Sequence, residues 1–161
     1  MSHLTALPAV ECRALLGERG TGRAAYAEHG VPAVATLNYA VVGEHLYFRT
    51  RAGTVLARAV DDAVVAFNVD HVDADRRGGW SVTATGRCRR VGHPEPASLA
   101  GRLDTWAPGL REELFRLDLA RLTGRRLGPP PERDRVVDLT QDVTGGRAQD
   151  RAHDAARGVA R

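Results

Sequence analysis

Lysine is absent from this sequence, so all 23 basic residues are arginines. The chain therefore cannot use an internal lysine for Schiff-base chemistry, and any phosphate must be bound by arginine, hydroxyl or backbone N–H groups. The formal net charge is only +3, and acidic residues are interleaved with the arginines. This pattern favours a solvated surface of mixed charge over a nucleic-acid-binding face.

Cysteine and long apolar runs are also scarce. Cys12 and Cys88 are far apart and form no CxxC pair, which argues against a disulfide framework and favours a reducing compartment. No apolar run approaches the roughly 20 residues that span a bilayer, and no secretory leader is recognisable. We therefore expect a soluble cytoplasmic protein with no membrane partner.

One glycine-rich segment approaches a phosphate-binding loop. Residues 17–24 read GERGTGRA, where the loop motif requires GxxxxGK followed by serine or threonine. Arg23 replaces the lysine, Ala24 replaces the hydroxyl, and a helix is predicted before the segment instead of a strand. We interpret it as a helix end followed by a turn.

Two further motifs are incomplete. Residues 79–83 resemble a nucleophile elbow around Ser81 but lack its last glycine and lead into strand-forming residues. The acidic run of residues 70–75 has no closing glutamate of a calcium loop, so it is interpreted as a solvated turn. Neither a hydrolase nucleophile nor a metal site is predicted.

The periodicity of the chain predicts a mainly β fold with helices. Residues 54–61 form a predicted helix with Thr54 as its N-cap, and a helix over 8–18 is predicted to bury Val10, Leu15 and Leu16. Glycines 20 and 22 are taken to break the structure after that helix. The other predicted elements are strands over 23–28, 31–42, 45–50, 64–69 and 80–91, a polar loop over 70–79, and a helix over 97–103. The periodicity of residues 113–127 fits a helix or a strand, and Arg116-Leu117-Asp118 favours a strand.

This element order describes a closed or split antiparallel barrel in residues 1–128. Residues 129–161, rich in proline, arginine and aspartate, are predicted to be a flexible tail. In the strand over 45–50, Leu46, Phe48 and Thr50 share one face. Tyr47 and Arg49 share the other, which we expect to be wet or ligand-bearing.

An ordered set of motifs carries a resemblance to a known family. Residues 31–59, VPAVATLNYAVVGEHLYFRTRAGTVLARA, resemble the flavin-binding core of the pyridoxamine 5'-phosphate oxidase-like proteins, notably their small bacterial branch. The likeness continues through VAFNVDHVDADRRGGWSVTATGRCRRV, WAPG and LTGRRL, and covers about residues 5–127. Asn-Tyr or Phe-Arg-Thr occurs widely by itself, so the order and spacing of the set carry the resemblance.

The resemblance implies a six-stranded split β-barrel that dimerises, with an FMN site at each side of the subunit interface. It places Arg49, Thr50 and Thr54 at the ribityl phosphate, a combination of guanidinium and hydroxyl donors that suits a dianion. Ser81 would make a polar contact to the flavin. Bordering the isoalloxazine ring would be Thr36, Leu37, Asn38 and Tyr39, with Trp80 or Trp106 covering it from the partner subunit.

Val55 departs from the pattern of the family, whose members commonly have lysine at this position. The loss of such a charge-assisted contact lowers affinity by up to about a hundredfold. Arg51 or Arg58 could compensate, because Arg58 lies about one helical turn beyond Val55. We therefore include Val55 and Arg58 in the predicted cofactor site.

The implied function is an FMN-dependent oxidoreductase that transfers hydride through flavin N5 to or from a small-molecule substrate. Oxidation of pyridoxamine 5'-phosphate itself is disfavoured, because the family's ending with paired arginine and tryptophan is not evident. Two alternatives stay open: a deazaflavin-dependent reductase on the same barrel, and a flavin-binding module without catalysis. The residues indicate neither the substrate nor the electron donor.

Overall fold

The computed structural model describes residues 3–103 and 111–128. Strands predominate in this part of the chain, and none of its helices is long and apolar enough to cross a membrane. The strands are β1 (His3–Leu7), β2 (Arg19–Glu28), β3 (Val31–Val42), β4 (His45–Thr50), β5 (Ala63–Asp73), β6 (Gly78–Val91), β7 (Glu113–Asp118) and β8 (Arg121–Gly128). The helices are α1 (Ala9–Leu16), α2 (Val55–Val60) and one 3₁₀ turn (Ala97–Leu99).

The eight strands form one antiparallel sheet that closes on itself. Their order is β1-β8-β6-β5-β2-β3-β4-β7, and an additional pairing joins β6 to β7. Strands β2 to β7 therefore make a closed ring, while β8 and β1 extend the sheet beyond it. The predicted split barrel is confirmed, with eight strands in place of six.

The barrel is split at β6, because one edge of this strand serves two partners. That edge pairs with β8 from Gly79 to Thr85 and with β7 from Cys88 to Val91. Gly86 lies between the two segments, where a Cβ atom would stand 1.8 Å from the carbonyl oxygen of Asp118 at the end of β7. The change of partner therefore requires glycine at this position.

The core lies inside the ring, where alternate residues of each strand meet. Three fully buried phenylalanines stack at its centre, with ring centroids 6.2 Å apart for Phe48 and Phe67 and 5.7 Å for Phe48 and Phe115. A smaller cluster of Ala40, Tyr47, Leu99 and Leu114 covers the outer side of β3 and β4. Tyr47 is therefore buried, and the expectation that its whole face is wet was wrong.

Several predicted elements agree with the structure and others differ. The helices at α1 and α2 are confirmed, but α1 buries Cys12 and Leu16, and Val10 is 77% exposed. Gly20 and Gly22 do not break the structure, because both lie within β2. Gly22 is needed there because a Cβ atom would meet the Phe67 ring at 2.3 Å.

Strand lengths were underestimated where polar residues line an exposed face. The predicted loop over 70–79 was wrong: β5 continues to Asp73 and β6 begins at Gly78, leaving a short turn. The predicted strand over 113–127 is two strands, β1 was not foreseen, and the helix over 97–103 is only the 3₁₀ turn. Trp106 and the predicted tail over 129–161 lie outside the described residues.

We expect Gly86→Ala to lower the free energy of unfolding by about 1 to 3 kcal/mol, because the added methyl group must displace the backbone at Asp118. Gly92→Ala is the matched control, since nothing lies within 4 Å of a Cβ atom there. Urea unfolding of both variants measures the difference. Equal stability of the two variants would contradict the role assigned to Gly86.

Candidate functional site

A polar surface runs across the outside of the barrel. Because paired residues of antiparallel strands point to the same side, the register brings five polar residues into one row, namely Thr36, Arg23, Asn68, Thr83 and Thr123. The next row contains Asp70, Ser81 and Arg125. We call these two rows, together with Asn38 and Thr21 on the same side of β3 and β2, the outer polar face.

Hydrogen bonds orient the side chains of the outer polar face. The Asn68 amide donates to the hydroxyl oxygens of Ser81 at 2.8 Å and Thr83 at 3.1 Å. The Asn38 amide donates to the Thr21 hydroxyl at 3.1 Å, and Arg23 forms an ion pair with Asp70. The face is thus a set of fixed donors and acceptors before any ligand arrives.

An open cleft of about 470 Å³ lies at the end of this face formed by β1, β5, β6 and β8. Its size falls in the range of small-molecule sites. Trp80 contributes to its wall, and the rings of His71 and Trp80 are 6.4 Å apart. Polar groups of Asn68, Asp70, Ser81 and Arg125 line one part, and apolar groups of Leu4, Val72 and Leu127 line another.

Arg49 lies on the outer side of β4. Tyr39 pairs with Phe48 inside the barrel, so the adjacent residues Asn38 and Arg49 both point outward. Glu95 already binds the Arg49 guanidinium through both carboxylate oxygens, with Nη1 2.8 Å from Oε1. The guanidinium lowers the pKa of Glu95, first by hydrogen bonding to it and then by its charge.

Thr50 and Thr54 lie together, on the opposite side of β4 from Arg49. Their hydroxyl oxygens are 3.3 Å apart, and Thr50 is almost fully buried. The Thr54 hydroxyl accepts from the backbone N–H of Ala57 at 3.2 Å and donates to the carbonyl of Arg51 at 3.0 Å. Both threonines therefore hold the start of α2, and the structure does not bring Arg49 to them.

Arg58 turns back toward the start of α2. Its Nη1 donates to the carbonyl oxygen of Gly53 at 2.7 Å, and the side chain stays exposed beside the exposed Val55. A positive charge therefore stands near the position where relatives commonly have lysine.

Leu37 and Tyr39 point into the barrel, where both are buried. The Tyr39 hydroxyl donates to the carbonyl oxygen of Leu16, and its ring packs edge-on against Phe67 at 5.3 Å. Of the four residues predicted to border a flavin ring, only Thr36 and Asn38 present side chains to the outer polar face. Burial raises the pKa of Tyr39 to about 12.

Sequence reasoning missed Arg23, Asn68 and Glu95. Asn68 carried a usable signal, because it is a lone amide within the apolar run of β5 and lies on the same side as Ala66 and Asp70. Glu95 carried none, since a glutamate between two prolines says nothing about a partner 46 residues away.

Comparison with known proteins finds a matching family model and a similar protein. A family model described as pyridoxamine 5'-phosphate oxidase matches residues 8–126. An uncharacterized protein of Mycobacterium tuberculosis is 32% identical over 123 residues, which cover 73% of this chain and 81% of that protein.

Two solved structures are similar to this chain. An FAD-binding protein from Mycobacterium smegmatis is 28% identical with a TM-score of 0.61, covering 77% of this chain and 98% of that one. An FAD-binding protein from Mesorhizobium loti is 27% identical with a TM-score of 0.63, covering 80% of this chain and 100% of that one.

We expect Tyr39→Phe to lower the free energy of unfolding by about 1 kcal/mol at neutral pH, because the Leu16 carbonyl loses its donor. The Tyr39 pKa is raised in the folded chain from 10.0 to about 12, so ionisation favours the unfolded chain between these values. The stability advantage of the wild type should shrink as the pH rises through that window.

Urea unfolding at several pH values between neutral and alkaline tests both parts. Tyr26→Phe is the control, since Tyr26 is only half buried. If the difference in free energy of unfolding between the wild type and Tyr39→Phe does not fall with rising pH, the burial of the Tyr39 hydroxyl is contradicted.

Proposed function

Because the chain belongs to the pyridoxamine 5'-phosphate oxidase-like family, we propose that it is a flavin-dependent oxidoreductase with FMN as its cofactor. The observation that carries the proposal is the outer polar face. Three residues predicted from sequence to contact the flavin ring or its phosphate, Thr36, Asn38 and Arg49, lie on the outside of adjacent strands. Ser81 lies on the same side of the sheet, across β2 and β5.

The chemistry of this face fits a flavin. The ring of a flavin offers both donors and acceptors, which amide and hydroxyl groups such as those of Asn38, Asn68 and Ser81 can match. Its terminal phosphate suits the fork of the Arg49 guanidinium. The FAD-binding relatives support a flavin in general. We favour FMN because the single Arg49 guanidinium can bind one phosphate with two of its nitrogens, and FMN has one terminal phosphate.

A bound flavin supplies hydride transfer through N5. The residues of this chain would bind and orient it: Arg49 holds the phosphate, and Asn38 with Thr36 positions the ring edge. The cleft, whose apolar wall includes Leu127 and Trp80, provides room for a small-molecule substrate.

The proposal includes a homodimer with the cofactor at its interface. Three valines on the outside of β3 and β5 are largely exposed, with 65% exposure for Val34, 69% for Val64 and 73% for Val72. These valines lie on the same side of the sheet as the outer polar face, and exposed apolar side chains there favour burial against another protein surface. A reducing cytoplasm is part of the same proposal, supported by the free, buried thiols of Cys12 and Cys88.

A deazaflavin coenzyme is the second candidate. Such a coenzyme carries a long polyanionic tail and needs a broader basic groove. Arg121 and Arg125 are exposed on the outer side of β8, on either side of Thr123, and Arg125 lines the cleft. These two arginines are the observation that favours it.

We expect the freshly purified protein to be yellow and Arg49→Gln to bind FMN roughly tenfold more weakly, because a charge-assisted contact to phosphate is lost. Arg76→Gln is the control, since Arg76 lies in the β5–β6 turn, where it pairs with Asp73 across 3.7 Å at the surface. Flavin absorbance and fluorescence titration with FMN, FAD and a deazaflavin coenzyme measure the affinities.

Each outcome of this titration has a meaning. Tighter binding of the deazaflavin would favour the second candidate, and tighter binding of FAD would correct the choice of FMN. A colourless protein that takes up none of these cofactors would contradict the oxidoreductase proposal. Undiminished FMN binding by Arg49→Gln would show that the phosphate binds elsewhere.

We expect Val34→Glu to convert the dimer to monomer, because the substitution buries a charge in the proposed interface. Val10→Glu is the control, since Val10 is likewise exposed but lies on α1 and not on β3. Sedimentation equilibrium measures the mass of both variants. A monomeric wild type, or a dimeric Val34→Glu variant, would contradict the proposed interface.

A further inference from the structure

Glu95 is held against the outside of the barrel by the segment that follows β6. This segment leads to the 3₁₀ turn Ala97–Leu99, and the buried Leu99 packs with Tyr47 and Leu114 outside β4 and β7. Arg49, two residues after Tyr47, points to the same side. The fold therefore delivers the Glu95 carboxylate to the Arg49 guanidinium from a distant part of the chain.

In the Arg49–Glu95 pair, the carboxylate occupies the guanidinium as a bound anion would. Each terminal nitrogen of Arg49 contacts one carboxylate oxygen of Glu95, which is the forked arrangement that arginine also uses for phosphate. The side chains are only 23% and 26% exposed, so the pair is partly withdrawn from water. A phosphate cannot take this fork while Glu95 occupies it.

We propose that Glu95 is a specificity-determining residue of the cofactor site, whose carboxylate competes with the cofactor phosphate for Arg49. The inference rests on the proposed function. When a phosphate binds, Arg49 contributes only the difference between its pairing with phosphate and its pairing with Glu95. The chain therefore binds a phosphorylated flavin less tightly than it would if the Arg49 guanidinium were unpaired.

This role differs from that of a structural ion pair. If the pair served only to anchor the segment after β6, removing it would loosen the outer side of β4 and weaken every flavin alike. If Glu95 competes with phosphate, its removal strengthens only ligands that carry a phosphate. FMN and riboflavin differ by that group alone and are the suitable probes.

The experiment is a fluorescence titration of the full-length, cofactor-free protein with FMN and with riboflavin. We expect Glu95→Gln to bind FMN roughly tenfold more tightly, since neutralising the competing carboxylate frees a charge-assisted contact, and to bind riboflavin with unchanged affinity. Glu44→Gln is the control for net charge, because Glu44 is exposed at the opposite end of β4. In an Arg49→Gln background, the gain from Glu95→Gln should vanish.

The outcomes separate this inference from the proposed function. If FMN binds the wild type and Glu95→Gln equally, or if riboflavin gains as much as FMN, the competition is refuted while flavin binding stands. If neither flavin binds any variant, the proposed function fails and the inference with it. Should Glu95→Gln not fold, Glu95→Asp replaces it: the shorter side chain weakens the fork and should shift FMN affinity in the same direction.

Discussion

The closure of the sheet through β6 is the constraint on which the other features depend. One edge of this strand serves β8 and then β7, and the exchange takes place at Gly86, where the backbone of Asp118 passes too close for any side chain. The pairing of β6 with β7 completes the ring that encloses the phenylalanine core. The pairing with β8 carries the sheet past the ring and forms one wall of the cleft.

The same closure divides the polar residues between two environments. Alternate residues of β3, β5 and β6 are committed to the interior, so their polar neighbours must lie outside. There the pairing register aligns them into rows, and hydrogen bonds such as that from Asn68 to Ser81 fix their orientation. A face of this kind can bind a flat, amphipathic ligand without rearrangement of the core.

Two cations of the outer side are paired within the chain, since Arg23 is bound to Asp70 and Arg49 to Glu95. Because the chain has no lysine, guanidinium forks are the only strong cationic anchors it can offer. In the proposed site, the competition between Glu95 and a cofactor phosphate for Arg49 sets the selectivity.

The sequence alone determined the class of fold and the position of most elements. Period-two alternation placed β4 and β6, a run rich in alanine, valine, tyrosine and threonine placed β3, and the Thr54 cap placed α2. These signals arise within a few adjacent residues. The limits of β5 and β6 were misjudged, since polar residues such as Asp70 and Asp73 resemble a loop when the opposite face of their strand is not considered. Tertiary structure decided which of the predicted residues meet. It placed Tyr39 in the core, directed the side chains of Arg49 and Thr50 to opposite sides of β4, and paired Arg49 with Glu95. Those outcomes depend on strand register and on contacts between residues far apart in the chain, and no local pattern encodes them.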